Sequence, residues 1–230
     1  MLLPLLGAAI IAVMPAAKTT LVKQIALATP VVLAIATIVK ALRFDTGNTA
    51  LQFRQSYSWI PSFAINWAMG VDGIALVLIL MSVVLAPVVI LAGWHESEGG
   101  RWGVKTFYIL ILVLETMMIG VFAATDLFLF YVFFEAMLIP VYFLIGGYGS
   151  GERAAAAVKF LLYSLFGGLL MLASVIGLYV ISGNNGGHTF DITALSELHT
   201  SMSGTTQNIL FLGFFIAFAI KAPLWPFHTW

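Results

Sequence analysis

The 230-residue chain contains no cysteine, and charged residues make up only 9% of it. The first absence excludes disulfides, thiolate zinc sites, cysteine-ligated iron–sulfur clusters and a cysteine nucleophile. The second sets the chain apart from soluble domains, which carry about 25% charged residues. With 61% hydrophobic residues and a mean hydropathy of +1.05, it reads as an integral membrane protein. Ten basic and ten acidic residues cancel, leaving neither a basic surface for nucleic acid nor an acidic tail for a basic partner. The amino-terminal stretch MLLPLLGAAIIAVMPAAK lacks the basic region that opens a secretory signal, so it reads as a slightly short first span. Walker motifs, dinucleotide-binding glycine fingerprints and G-x-S-x-G elbows are absent too. The four histidines, His95, His188, His199 and His228, are scattered without acids at metal-ligand spacing.

What is present is a series of apolar runs. A spanning helix needs about 20 mostly apolar residues, and seven segments reach or approach that: about 2–17, 21–42, 73–93, 104–124, 127–147, 155–182 and 208–224. They predict an all-α, polytopic transmembrane bundle of seven helices, with helices 1 to 3 and a long loop in 1–103 and helices 4 to 7 in 104–230. Lys18, Lys23, Arg101, Lys105 and Arg153 fall in loops on one side, and Lys40, Arg43 and Arg54 on the other. The larger set is expected to be cytoplasmic, which places the amino terminus outside. Lys23 and Lys40 lie at the two ends of one helix and can snorkel either way. In the loop 43–72, alternation of Trp59, Pro61, Phe63, Ile65 and Trp67 suggests either an extended interfacial segment or a hairpin covering helix ends. The loop 183–207 reads as a Gly/Asn turn and a short amphipathic helix along the membrane surface, with Phe190, Ile192, Leu195 and Leu198 on its apolar side. No internal repeat is visible.

Four ionisable residues remain at depth: Glu115, Glu135, Lys159 and Lys221. A charge at mid-bilayer costs about 2.5–3.5 kcal/mol on insertion scales, and such groups usually pair and mark ion or proton pathways. Glu135 is the one formal charge between Leu127 and Tyr148, too deep for its short side chain to reach headgroups. Pro140 lacks an N–H and so frees the carbonyl of Ala136 beside it, a spot that needs water or another donor. This favours a titrating acid over a protonated, hydrogen-bonded structural one. Lys221 is followed by Pro223 and Pro226, which free the carbonyls of Ala219 and Ala222; broken helices at membrane depth generally line ion sites, although a lysine at a helix end can also snorkel. Lys159 shares a helical face with Tyr163 and Gly167, which suggests a polar inner face, and it too can snorkel. Glu115 reads either as a relay acid or as a hydrogen-bonded structural one, and His228 as a proton-transfer candidate or a loop residue. Moving a carboxylate and an ammonium together or apart in a low-dielectric interior moves protons.

The strings ATDLFLFYVFFEAMLIPVYFLIGGYG, KFLLYSLFGGLLML and FFIAFAIKAPLWPFHTW, together with GVDGIALVLIL, resemble the antiporter-like subunits of the M (chain 4) type in the proton-translocating NADH:quinone oxidoreductase, respiratory complex I. That resemblance implies a non-redox membrane subunit that converts redox energy into proton movement. Glu135 looks like the glutamate and Lys221 like the broken-helix lysine thought to begin the family's relay, with Lys159 and Glu115 less firmly tied to mechanism. It also implies no cofactor in this chain, since NADH, FMN, iron–sulfur clusters and quinone belong to partner subunits. Its expected neighbours are other membrane subunits, above all antiporter-like ones, and lipid, in a bacterial plasma membrane. The family fold has a second inverted repeat, so the chain is expected to carry the amino-terminal half and, as it stands, not to translocate protons alone. A multi-subunit sodium/proton antiporter uses the same physics and is the alternative; a scaffold in which the buried ions merely pair is a third reading.

Overall fold

The computed structural model describes residues 1–184 and 186–230. Helices α1 (Leu3–Val13), α2 (Thr19–Ala41), α3 (Gly73–Ala92) and α4 (Gly103–Ala123) form one group, with α4 packed against the other three. A kinked span follows as α5 (Leu127–Ala136) and α6 (Leu138–Tyr148), then α7 (Arg153–Asn184), the short α8 (Ile192–Glu197) and α9 (Gly204–Lys221). Six helical segments are long and apolar enough to cross a membrane, counting α5 and α6 as one. The first expected span is not among them. Pro4 sits in the first turn of α1, and Met14, pushed into extended backbone by Pro15, ends it after 11 residues.

The 43–72 loop is a hairpin: β1 (Gln52–Ile60) pairs antiparallel with β2 (Ile65–Val71) around a turn at Pro61–Phe63. Its inner strand covers helix ends. The Thr125 N–H donates to the carbonyl of Ala68, Met69 bridges Ala124, and the Trp67 ring meets Phe133 edge-on. The expected surface helix is shorter than its apolar pattern and docks on the bundle. Phe190 and Leu195 are buried, while Ile192 is exposed. The N–H groups of Leu127 and Ile192 tie this segment to the start of α5, through the carbonyls of Phe190 and Thr125.

Asp126 is the joint of this end. Its side chain is 1% exposed and accepts hydrogen bonds from the N–H groups of Phe128 and Leu129, capping α5, and from that of Asn66 in β2. At the opposite end Lys23 does not snorkel. It is buried, donating to the Trp94 carbonyl and to Glu98 Oε1, each at 2.6 Å. Lys105 donates to the carbonyls of Ala12 and Met14, meeting acceptors that the end of α1 leaves open.

Asp126→Ala removes a cap and orphans a buried N–H, so a loss of about 2 kcal/mol is expected. Asp126→Asn, which can still accept, retains most of it, and melting midpoints in detergent compare the two. The Lys23 ammonium holds the Glu98 carboxyl below the usual carboxylate range. Because that value is depressed by folding, the contact contributes at neutral pH and is lost as pH falls through the folded value. The stability gap between the native chain and Glu98→Gln is therefore expected to close on acidification in the same melting assay.

Candidate functional site at the break in the fifth helix

The kink between α5 and α6 lies where Pro140 predicts a loss of helical bonding. The Met137 N–H reaches Phe133, and α5 gives way to α6 at Met137. Carbonyls in the last turn of a helix have no onward helical partner. One of them, that of Phe134, accepts a hydrogen bond from Lys221 Nζ at 3.3 Å. The ammonium also stands 4.5 Å from the centroid of the Phe134 ring, so the residue before Glu135 holds Lys221 both by its carbonyl and by its π face.

Glu135 approaches the same junction from the other side. A Cβ built on Gly168 of α7 would run into its carboxylate, so the acid rests directly against helix backbone that only glycine leaves open. Its Oε1 is buried without a hydrogen-bond partner in the protein. Glu135 and Lys221 lie within each other's electrostatic reach. They make no ion pair within 4 Å among the described residues.

The depth of the pair follows from α7. Gly167 packs on α9, its Cβ position 3.1 Å from Ile220 Cδ1 and 3.2 Å from Ala217 Cα. From Arg153, where α7 begins, to Gly167 the helix rises about 21 Å at 1.5 Å per residue. The hydrocarbon core is about 30 Å thick. Lys221 therefore ends its helix inside the bundle, out of snorkelling range of the α7 amino-terminal side.

Other sequence expectations fare differently. The Ala219 carbonyl freed by Pro223 is not open to the ammonium, because the Leu224 N–H takes it at 2.8 Å as the chain turns out of α9. Lys159 is exposed on α7 and does not face inward; the buried stripe of that helix runs through Ala157, Phe160, Ser164, Gly167 and Gly168. Glu115 is buried on α4 with both oxygens lacking hydrogen-bond partners, and the contacts of the junction do not include it. His228 is exposed on a short turn beyond the helix end, where Tyr163 and Thr229 share a hydrogen bond. Sequence reasoning missed the two groups that seat the pair, Phe134 and Gly168. Phe134 carries no residue signal, because the group that acts is its main-chain carbonyl; the signal for Gly168 lay in the adjacent glycines at 167 and 168.

The family model described as NADH:quinone oxidoreductase/Mrp antiporter, transmembrane, matches residues 124–230, which include every group at this junction. NADH-quinone oxidoreductase subunit M of Mycobacterium tuberculosis is 43% identical over 260 aligned residues, covering 100% of this chain and 47% of that protein. The chain spans about half the length of the curated relatives it matches. Among solved structures, a chain of respiratory complex I from Thermus thermophilus with bound NADH superposes with a TM-score of 0.83 at 31% identity, covering 100% of this chain and 44% of that one. A chain of the Mrp complex from Dietzia sp. DQ12-45-1b gives a TM-score of 0.81 at 19% identity, covering 100% of this chain and 24% of that one, a likeness of fold.

If Gly168 is the seat of the carboxylate, Gly168→Ala turns Glu135 away and adds about 1–3 kcal/mol of overpacking. The expected readout is a shifted infrared carboxyl band for Glu135 together with a lower melting midpoint. Gly73→Ala, at a position with nothing within 4 Å of the added carbon, is the control that leaves both unchanged.

Proposed function

We propose that this chain, whose residues 124–230 match the NADH:quinone oxidoreductase/Mrp antiporter transmembrane family model, is a member of that family and works as part of a proton-translocating membrane subunit of NADH:quinone oxidoreductase. Glu135 and Lys221 are its coupled pair. The observation that carries the reading is the α5 break, where Lys221 is anchored on the Phe134 carbonyl while the adjacent Glu135 keeps a buried oxygen without a protein partner. A fixed cation beside an acid free to gain or lose a proton is what a charge relay requires. Removing or approaching a neighbouring charge changes the proton affinity of the acid, and each such event moves a proton. The chain contributes no thiol ligand for a redox centre, so in this reading NADH, FMN, iron–sulfur clusters and quinone stay with partner subunits, and the energy arrives through neighbouring subunits.

The partners are other membrane subunits, including neighbouring antiporter-like ones, and the membrane is a bacterial plasma membrane with the amino terminus outside. Lys23, Arg101, Lys105 and Arg153 gather at one end of the bundle. Lys105 reaches the end of α1, Lys23 joins α2 to the segment after α3, and the Arg101 N–H and Arg153 guanidinium share the Gly147 carbonyl. This end is the cytoplasmic one by charge. A sodium/proton antiporter subunit remains the second reading because the fold is shared, with identity favouring the oxidoreductase at 43% and 31% against 19%.

In the intact, full-length complex, Glu135→Gln is expected to lower proton pumping and coupled quinone reduction by about tenfold or more, with assembly preserved on native gels. Normal coupled activity in the assembled Gln variant would overturn the assignment. If a double substitution of Glu135 and Lys221 by apolar residues kept both assembly and pumping, the pair would be scaffold.

A further inference from the structure

Glu135 Oε1 is not the only buried polar atom at this junction without a partner. Ser164, on α7, is 5% exposed, and its Oγ makes no hydrogen bond in the protein. This is unusual for a serine in a membrane helix, whose hydroxyl commonly bonds the carbonyl one turn back. Thr29, Thr37, Ser82 and Thr116 all do so here, at 2.8–3.0 Å. Ser164 forgoes that bond. Buried polar groups are otherwise almost always satisfied, by protein or by ordered water.

Its place on the helix says what it serves. Ser164 and Gly168 are four residues apart and therefore neighbours on one face of α7, about 6 Å apart along the axis. The Cα–Cβ bond of a helical residue tilts toward the helix amino terminus. The volume above Gly168 that the Glu135 carboxylate occupies is thus on the Ser164 side of Gly168. On α9, Gly167 packs against Ala217 and Ile220, and one turn farther on Tyr163 meets Thr229. Ser164 falls between these two contacts, at the level where α9 ends in Lys221.

We infer that Ser164 is a positioning residue for Glu135, its hydroxyl hydrogen-bonding the carboxyl group through a single water at the end of α9. The inference rests on the proposed relay and deepens it. A hydroxyl suits a titrating acid because it has one donor and two acceptor sites and a freely rotating proton. It donates when the acid is ionised, and after rotation it accepts when the acid carries a proton. No proton need be transferred to serine for this; the acid exchanges its own proton, and the hydroxyl keeps both charge states satisfied in an otherwise apolar seat. Alanine can satisfy neither state. Threonine can satisfy both.

The test uses the intact complex, with native-gel assembly, proton pumping and coupled quinone reduction measured for Ser164→Ala, Ser164→Thr, Glu135→Gln and the Ala/Gln double variant. Ser164→Ala is expected to assemble normally and to pump about tenfold more slowly, the loss that follows when a charged group forfeits one hydrogen bond. Threonine is expected to restore most of the rate. In the Glu135→Gln background, Ser164→Ala is expected to add nothing. An assembled Ser164→Ala variant pumping at the native rate overturns the inference, as does loss of assembly, or a defect in Ser164→Ala that is fully additive with Glu135→Gln. The broader reading fails separately, when Glu135→Gln itself pumps normally.

Discussion

A carbonyl without its helical N–H, placed in hydrocarbon, must find another donor, and the arrangement at the centre of this chain follows from that requirement. The span breaks at Met137, and the Phe134 carbonyl lies in the last turn of α5, where carbonyls lack an onward helical partner. Lys221 supplies the donor. The same contact answers the ammonium's own need for acceptors away from water, so two defects that are costly separately become one stable joint. The α9 helix ends where it does for a related reason: beyond Lys221 the chain meets Pro223, and the carbonyl it frees at Ala219 is closed by the Leu224 N–H. The acceptor left for the lysine is the one on α5.

That joint needs a frame that holds three helices in register. Much of it comes from backbone approach without side chains. Gly167 lets α7 meet α9, and Gly168 lets Glu135 lie on α7, with small residues giving close contact in the way usual for membrane helices. The ends of the bundle are fixed by polar side chains turned inward. Asp126 ties the start of α5 to the hairpin, and Lys23 and Lys105 tie the other end of the α1–α4 group. These groups are fully engaged, while Glu135 Oε1 and Ser164 Oγ are buried without protein partners.

Much of this was legible in the sequence because the membrane imposes strong rules. Apolar length found six spans, the alternation around Trp59–Trp67 marked the hairpin, and prolines marked both helix breaks. Glu135 and Lys221 stood out because charge at depth is rare. The failures have physical causes as well. The span expected at 2–17 counted apolar residues across Pro15, which ends α1. For Lys159 the neighbours Tyr163 and Gly167 leave an inner face and snorkelling both open, and α7 decides it by burying the stripe through Phe160 and Ser164, with Lys159 exposed. Lys23 looked free to snorkel because its partner, Glu98, is distant in sequence and becomes a neighbour only after α2 and α3 pack. Phe134 was unreadable because its role rests on a main-chain oxygen, which carries no residue signature.

The lack of direct contact between Glu135 and Lys221 is itself informative about what such a site can do. Two unit charges 4 Å apart attract by about 4 kcal/mol at an effective dielectric constant of 20, and doubling the distance halves the attraction. A tight ion pair would hold the acid ionised through any modest change nearby, and a buried pair, once formed, is expensive to open. With the ammonium committed to the Phe134 carbonyl and ring, the acid feels it at longer range. In the proposed relay, an interaction weaker than a tight ion pair is one that can bias a proton and still be outweighed when another charge arrives or the lysine is drawn away. Holding the lysine on the carbonyl and ring of Phe134, one residue before the acid, is the arrangement by which the proposed relay would keep its coupling reversible.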